Sequence, residues 1–216
     1  MRGKFIVIEG IDGSGKTTQL QLLGDKLKAR GVPVLHTREP GGTRVGETIR
    51  EILLSPASSD LVPRAEALLY AAARAQHVAQ VIRPALAAGQ IVLCDRFLDS
   101  SLAYQGFGRG IDINLLERIN EPATGGLVPD LTIVLKFCAE DGLDRINKSG
   151  RSFDRIERET RAFHAKVGDG YLVLAGRDPG RYSVIDANRP AEQVHQDVMT
   201  AAEGVLNEIL TADSGA

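Results

Sequence analysis

The run Gly10-Ile11-Asp12-Gly13-Ser14-Gly15-Lys16-Thr17 constrains this chain more than any other stretch. Its G-x-x-x-x-G-K-[ST] pattern directly follows the apolar segment Phe5-Ile6-Val7-Ile8-Glu9. Three glycines let the backbone wrap around phosphate oxygens with its N–H groups pointing inward, and a helix opening at Gly15 adds its positive dipole end. In such a loop the lysine, here Lys16, bridges the terminal phosphates and the hydroxyl of Thr17 holds Mg²⁺. A strand before the loop and a helix after it are the context the motif requires, and this chain supplies both. A nucleoside triphosphate site is therefore expected, built on Gly10 to Thr17 and the next residue, Thr18.

Short Val/Ile/Leu-rich runs alternate with longer helical patterns along the remaining chain, as they do where parallel strands are joined by crossover helices. The expected strands are Lys4–Glu9, Pro33–Thr37, Ile91–Asp95, Leu131–Lys136 and Tyr182–Asp186. Between them the pattern predicts helices over about 15–30, 44–54, 64–88, 99–106, 112–122, 140–148, 155–175 and 191–210. Pro63 is placed to start the third of these, Gly89 to stop it, and Pro84 to kink it near its end. No repeat, low-complexity linker or second domain interrupts the series, and only Thr211–Ala216 reads as a frayed tail. At 216 residues, 43% of them hydrophobic, this is one three-layer α/β domain spanning 1–216: a phosphate-loop NTPase fold with a five-stranded parallel sheet flanked by helices.

The formal net charge of −2 offers no basic field for a nucleic-acid backbone, so an anion must be caught by a few placed cations. Cys94 and Cys138 lack C-x-x-C spacing, which fits a reducing cytosol better than a disulfide scaffold or a zinc site. The apolar run after Met1-Arg2-Gly3-Lys4 is too short for a signal peptide, and no segment approaches membrane-spanning length. The expectation is a soluble cytoplasmic protein with neither nucleic acid nor membrane as partner.

Ligands gather at the carboxyl ends of strands in open parallel sheets. The third strand ends in Asp95-Arg96, an acidic residue suited to hold Mg²⁺ through water and an arginine suited to neutralise a transferred phosphoryl group. The second runs into Arg38-Glu39-Pro40-Gly41-Gly42-Thr43, whose turn sets Arg38 and Glu39 at the same edge. Tyr70 and Arg74 are four apart on one helix and share a face, and Ser101, Tyr104 and Gln105 repeat that geometry on another. A ring, a hydroxyl, an amide and a guanidinium on facing helices suit a flat heterocycle. The basic stretch from Arg145 through Lys148, Arg151, Arg155 and Arg158 to Arg161 is broken by Ser149-Gly150. Such a run is commonly a solvated helix face, and here it also suits a lid over about 147–158 that delivers an arginine to the transition state. The phosphate loop carries no basic residue among Ile11, Asp12, Gly13 and Ser14, so that cation must come from elsewhere.

Together these motifs resemble the bacterial thymidylate kinases. The resemblance runs through the phosphate loop, Thr37-Arg38-Glu39-Pro40-Gly41-Gly42-Thr43, Tyr70-Ala71-Ala72-Ala73-Arg74, Asp95-Arg96, Ser101-Leu102-Ala103-Tyr104-Gln105-Gly106, Pro129-Asp130-Leu131-Thr132 and Asp154-Arg155-Ile156-Glu157. It implies transfer of the ATP γ-phosphoryl group to dTMP with Mg²⁺, giving dTDP and ADP, in a homodimer. Residue by residue it implies that Lys16 and the loop amides hold the ATP phosphates, while Arg96 meets the phosphates of donor and acceptor. Arg74 would reach the thymine carbonyl, Tyr70 would stack on the ring, Ser101 and Gln105 would address its remaining polar edge, and Tyr104 would lie against the sugar. Asp12, Glu39, Pro40 and Arg50 complete the implied dTMP pocket; Glu39 joins Thr17 and Asp95 at the metal, and Arg155 is the lid arginine. The sequence departs from the family at Tyr70, where a phenylalanine is usual, at Lys136, where Leu-Asp commonly ends the strand, and at Asn147-Lys148-Ser149, where arginines are common. A kinase for another nucleoside monophosphate would share the loop and the lid. A GTP-dependent switch would need Asn-Lys-x-Asp, and Asn147-Lys148-Ser149-Gly150 lacks the final Asp.

Overall fold

The computed structural model describes residues 3–148, 150 and 152–212; the expectations placed on Ser149, Arg151 and the end of the tail lie outside them. Five strands, β1 (Phe5–Glu9), β2 (Val34–Arg38), β3 (Ile91–Asp95), β4 (Leu131–Lys136) and β5 (Tyr182–Asp186), form one parallel sheet in the order β2-β3-β1-β4-β5. The order doubles back at β1, so the crevice at its carboxyl end faces both β3 and β4.

Alternation along each strand sorts side chains onto two faces. Ile6 and Ile8 of β1, with Ile91 and Leu93 of β3 and Ile133 and Leu135 of β4, pack on Leu20, Leu23 and Leu27 of α1 (Lys16–Ala29) and on Val194 and Val198 of α9 (Ala191–Ala212). Phe5, Val7, Val92 and Cys94 meet the opposite layer, where Val78, Ile82, Ala85 and Leu86 lie. All five residues of β1 are buried, so the phosphate loop springs from the best-covered strand of the sheet.

That second layer holds α2 (Arg44–Leu54), α3 (Pro63–His77), α4 (Arg83–Ala87), α5 (Leu98–Ser101), α6 (Ile113–Thr124) and α8 (Arg161–Arg177); α7 (Ala139–Lys148) packs on α8 beside the loop. The helix expected over 64–88 is α3 and α4 joined by a π-helical stretch, Val78–Ile82. Pro84 has no N–H to give to the preceding turn, and the wider π turn accommodates it; Gly89, at φ 78°, stops the helix. The segment expected over 99–106 begins as α5 and passes into a second π stretch, Leu102–Gly108. Helix was also expected from residue 155, but α8 starts at Arg161. Asp154 Oδ1 accepts from the backbone N–H groups of Ile156 and Glu157, both at 2.9 Å, which closes a local turn in place of a helix. Thr160 then caps α8 by accepting from Phe163 N–H.

Lys136 closes β4 directly opposite Asp186 in the β4–β5 register. Asn188 chiefly, and after it Arg189 and Lys136, hold the exposed Asp186 carboxyl below the usual carboxylate range; nothing in the structure explains why the strand ends in a lysine. No helix of the described residues is long and apolar enough to cross a membrane.

Candidate active site

The phosphate loop bends where the sequence requires it, with Gly10, Gly13 and Gly15 at φ 141°, 78° and 92°. Gly13 is also a close-approach position, since a Cβ there would stand 2.4 Å from Gly142 O of α7. Ser14 Oγ is buried within the loop and has no partner among the described residues. Lys16 is buried, with its Nζ donating to Ile11 O at 2.8 Å. Burial, and then the neighbouring Arg96, bring its pKa down to about 8, while Asp12 and Asp95 act against that shift. Thr17 Oγ1 donates to Asp95 Oδ2 at 2.8 Å, which brings together two of the residues assigned to the metal.

Arg96 has φ 72°, the one non-glycine in the left-handed region among the described residues. That conformation costs on the order of 1–2 kcal/mol and turns the guanidinium back under the phosphate loop. Arg96 Nη1 donates to Gly10 O at 2.9 Å and Nη2 to Asp12 Oδ1 at 2.5 Å; Tyr171 OH and Tyr104 OH lie within 3.1 and 3.2 Å. Burial alone would raise the Asp12 carboxyl, but Arg96 and Lys16 outweigh it and hold the group well below the usual range. Tyr104 OH completes the cluster by donating to Asp12 Oδ2 at 2.8 Å. Behind it, Ser100 Oγ and Tyr171 OH both donate to Glu9 Oε2, at 2.6 and 2.9 Å. Burial, reinforced by Asp99, raises the Glu9 carboxyl to about 7.

Two cavities meet at Asp12 and Arg96. The wider, about 620 Å³, is lined by the phosphate loop with Lys16, Thr17 and Thr18, and by Arg38, Glu39, Arg50 and Asp95. The narrower runs on to Pro40, Tyr70, Arg74, Tyr104 and Gln105. Arg74 is buried at its wall and nearly saturated: Nε donates to Glu39 Oε2 at 2.8 Å, Nη1 to Asn120 Oδ1, and Nη2 to Phe97 O and Ser101 Oγ. A guanidinium has five N–H groups, so one on Nη1 stays uncommitted among the described residues. The Tyr70 hydroxyl makes no protein hydrogen bond among them, and burial, followed by Glu66, raises its pKa.

Of the three helical residues expected to share one ligand-facing side, Tyr104 and Gln105 border the narrow cavity and Ser101 does not; the stretch from Leu102 to Gly108 is π-helical, which alters their angular spacing. Tyr104 faces Asp12 and Arg96, whereas buried Ser101 stands behind Arg74 and Gln105 Nε2 donates to Glu66 Oε1 at 2.9 Å. In place of Ser101 it is Ser100 that borders the narrow cavity. Arg155 borders neither cavity. Its Nε donates to Leu53 O at 2.8 Å, and its Nη2 stands 2.6 Å from Glu66 Oε2 without hydrogen-bond geometry. Arg145 lies over the Phe137 ring and donates to Gly13 O at 3.2 Å.

The comparisons with known proteins decide among the kinases that such a site allows. The thymidylate kinase family model matches residues 8–198. The chain belongs to the thymidylate kinase family. It is 64% identical over 216 residues to the thymidylate kinase of Pelotomaculum thermopropionicum, covering 100% of both chains. It is 53% identical over 205 residues to that of Gloeobacter violaceus, covering 94% of this chain and 96% of the other. The crystal structure of thymidylate kinase from Ehrlichia chaffeensis superposes with a TM-score of 0.76 at 33% identity, covering 94% of this chain and 100% of that one. As a thymidylate kinase the chain is an ATP-dependent nucleoside monophosphate kinase, a transferase of nucleotide biosynthesis.

Proposed function

We propose that this thymidylate kinase moves the γ-phosphoryl group of ATP to dTMP at the junction of its two cavities, where Asp12 and Arg96 belong to both. That shared border carries the assignment, because a donor phosphate on the loop and an acceptor phosphate from the narrow cavity would meet there. ATP lies along Gly10 to Thr18 with Lys16 on its terminal phosphates, and dTMP fills the narrow cavity with its ring on Tyr70 and its carbonyl toward the free N–H of Arg74. Asp12, Glu39, Pro40, Arg50, Ser101, Tyr104 and Gln105 contact that nucleotide or hold the groups that do.

The acceptor is already a phosphate whose second pKa is about 6, so it is largely dianionic near neutrality and needs no general base. The work left is positioning and charge neutralisation by Lys16, Arg96 and Arg155. Mg²⁺ would be held by Thr17 and, directly or through water, by Asp95, with phosphate oxygens and water filling the remaining positions, which is how this ion is commonly bound. Both oxygens of Glu39 are occupied by neighbouring side chains, which puts it in a supporting place near the ion. When bound there, Mg²⁺ would supply charge withdrawal from the transferred group. Among the described residues no group of three or more His, Cys, Asp or Glu side chains could hold a metal ion.

Residues 147–158 act as the lid of this single domain, and the enzyme works as a homodimer in the cytoplasm. Leu68 of α3 is 56% exposed and borders an apolar cleft with Ala67, Ile111, Leu115 and Ile119, a surface that a second copy would cover. Sedimentation equilibrium giving only monomer at micromolar protein would remove the dimer.

Two results test the site. Tyr104 is fixed by Asp12, Arg96 and its edge contact with Tyr171, so its rigid ring occupies the space beside the sugar. The ribo-counterpart of dTMP should be a poorer substrate by about ten- to a hundredfold, and Tyr104→Ala should narrow that ratio; an unchanged ratio in an active variant would move the discrimination elsewhere. Lys16, with its pKa near 8 when unliganded, must be charged to hold phosphate. ATP binding stabilises its charged form, so affinity should be level below that pH and fall as pH rises through it, with net proton uptake on binding in calorimetry near pH 8. Affinity that does not fall between pH 7.5 and 9 would exclude this titration.

A further inference from the structure

Glu39 sits between Arg74 and a third group that the transfer chemistry does not use. His77, one turn beyond Arg74 on α3, is 0% exposed; its Nδ1 lies 3.0 Å from Glu39 Oε1 and its Nε2 2.6 Å from Thr37 Oγ1. A carboxylate only accepts, so Nδ1 carries the proton given to Glu39, while Thr37 O–H is placed to donate to Nε2. The chain Thr37–His77–Glu39–Arg74 is then continuous, from the penultimate residue of β2 to the guanidinium at the wall of the narrow cavity. The imidazole also fills the space under the turn after Pro40. A Cβ on Gly42, at φ 75°, would stand 2.7 Å from the ring and 2.9 Å from Thr37 Oγ1.

We propose that His77 is a positioning residue for monophosphate selection: by holding one oxygen of Glu39 it fixes the other on Arg74 Nε, and so aims the remaining Arg74 N–H at the acceptor base. Among the described residues His77 is the one side chain besides Arg74 that bonds the Glu39 carboxylate, whereas Asn120, Phe97 and Ser101 hold the Nη1 and Nη2 groups of Arg74 and set where the fork lies. If Glu39 loses its second anchor it can rotate, Nε loses its partner geometry, and the guanidinium plane is held by three hydrogen bonds in place of four. A residue acting this way affects the acceptor before the donor, because Arg74, the group it orients, borders the narrow cavity and not the wider one.

The inference rests on the reading of Arg74 as the group that meets the base, and the test separates the two. His77→Asn keeps an N–H close to the Nδ1 position, whereas His77→Gln keeps one close to Nε2 and withdraws it from Glu39. The expected result is an increase of about tenfold in KM for dTMP in H77Q, with KM for ATP unchanged, and a fall in the preference for dTMP over dCMP. H77N should stay within about threefold of wild type on each count. Thr37→Val, which removes the far hydroxyl without changing the size of the side chain, should give a smaller acceptor-only rise of about threefold, so the inference stays testable if H77Q does not fold. Equal losses in H77N and H77Q, or losses shared between ATP and dTMP, would overturn it and leave His77 a packing residue. A wild-type enzyme that does not distinguish dTMP from dCMP would instead remove the role given to Arg74.

Discussion

Lys16→Ala and Arg96→Ala are each expected to lower kcat by at least about a hundredfold while leaving the protein folded, which corresponds to about 2.7 kcal/mol of lost transition-state stabilisation. Lys16 lies buried at the loop with its ammonium on Ile11 O, a weak partner that a phosphate oxygen would replace. Arg96 stands where the two cavities meet and is held by Gly10 O, Asp12, Tyr104 and Tyr171, so it is oriented before any substrate arrives. Neither residue carries the hydrophobic core, and in Arg96→Ala the strained φ of 72° is free to relax. The loss of turnover should exceed what any loss of stability explains: Arg96→Ala also takes the charge partner from Asp12, so its thermal midpoint should fall while the protein stays folded at the assay temperature. Near-normal kcat in either variant, measured by ADP release with saturating substrates, would remove that residue from the transition state.

The second large effect is expected at Arg155. Arg155→Ala should lower kcat by about tenfold or more and change the dissociation constant of dTMP by less than about threefold. The structure holds Arg155 against Leu53 O and Glu66, clear of the phosphate loop, so its service at the transferred group requires the lid to turn it inward. Its removal does not strand Glu66, whose carboxylate keeps Gln105 at 2.9 Å and Arg109 at 3.2 Å. Equal losses in turnover and dTMP affinity would mean that Arg155 serves the fold where it now lies and never reaches the donor.

Much of this architecture is legible in the sequence because it is local. The phosphate loop is contiguous, and the runs Phe5–Glu9 and Ile91–Asp95 are apolar enough to name buried parallel strands without any knowledge of their partners. What spacing cannot show is geometry that changes inside a helix. The two π stretches leave no mark on hydrophobic periodicity, and of the three residues around the second only Tyr104 and Gln105 border the narrow cavity, while Ser101 is bonded to Arg74. The turn at Asp154 was hidden for a related reason, since one side chain accepting two N–H groups outweighs the helical preference of the residues after it. Ser100 and Tyr171 reach Glu9 across 91 and 162 positions of chain, and no pattern within any one segment signals such a contact. His77 and Asn120 are invisible in the same way, although each touches a group of the site.

The most direct test of the central claim is a coupled assay of ADP release over dTMP, dUMP, dCMP, dAMP and dGMP at equal concentration with ATP and Mg²⁺. An acceptor site formed by Tyr70, Arg74 and Tyr104 predicts the highest kcat/KM with dTMP and at least about a tenfold margin over dCMP, because the Arg74 N–H suits the carbonyl of thymine and opposes the amino group of cytosine. Equal rates with all five, or a higher kcat/KM with a purine, would contradict the account.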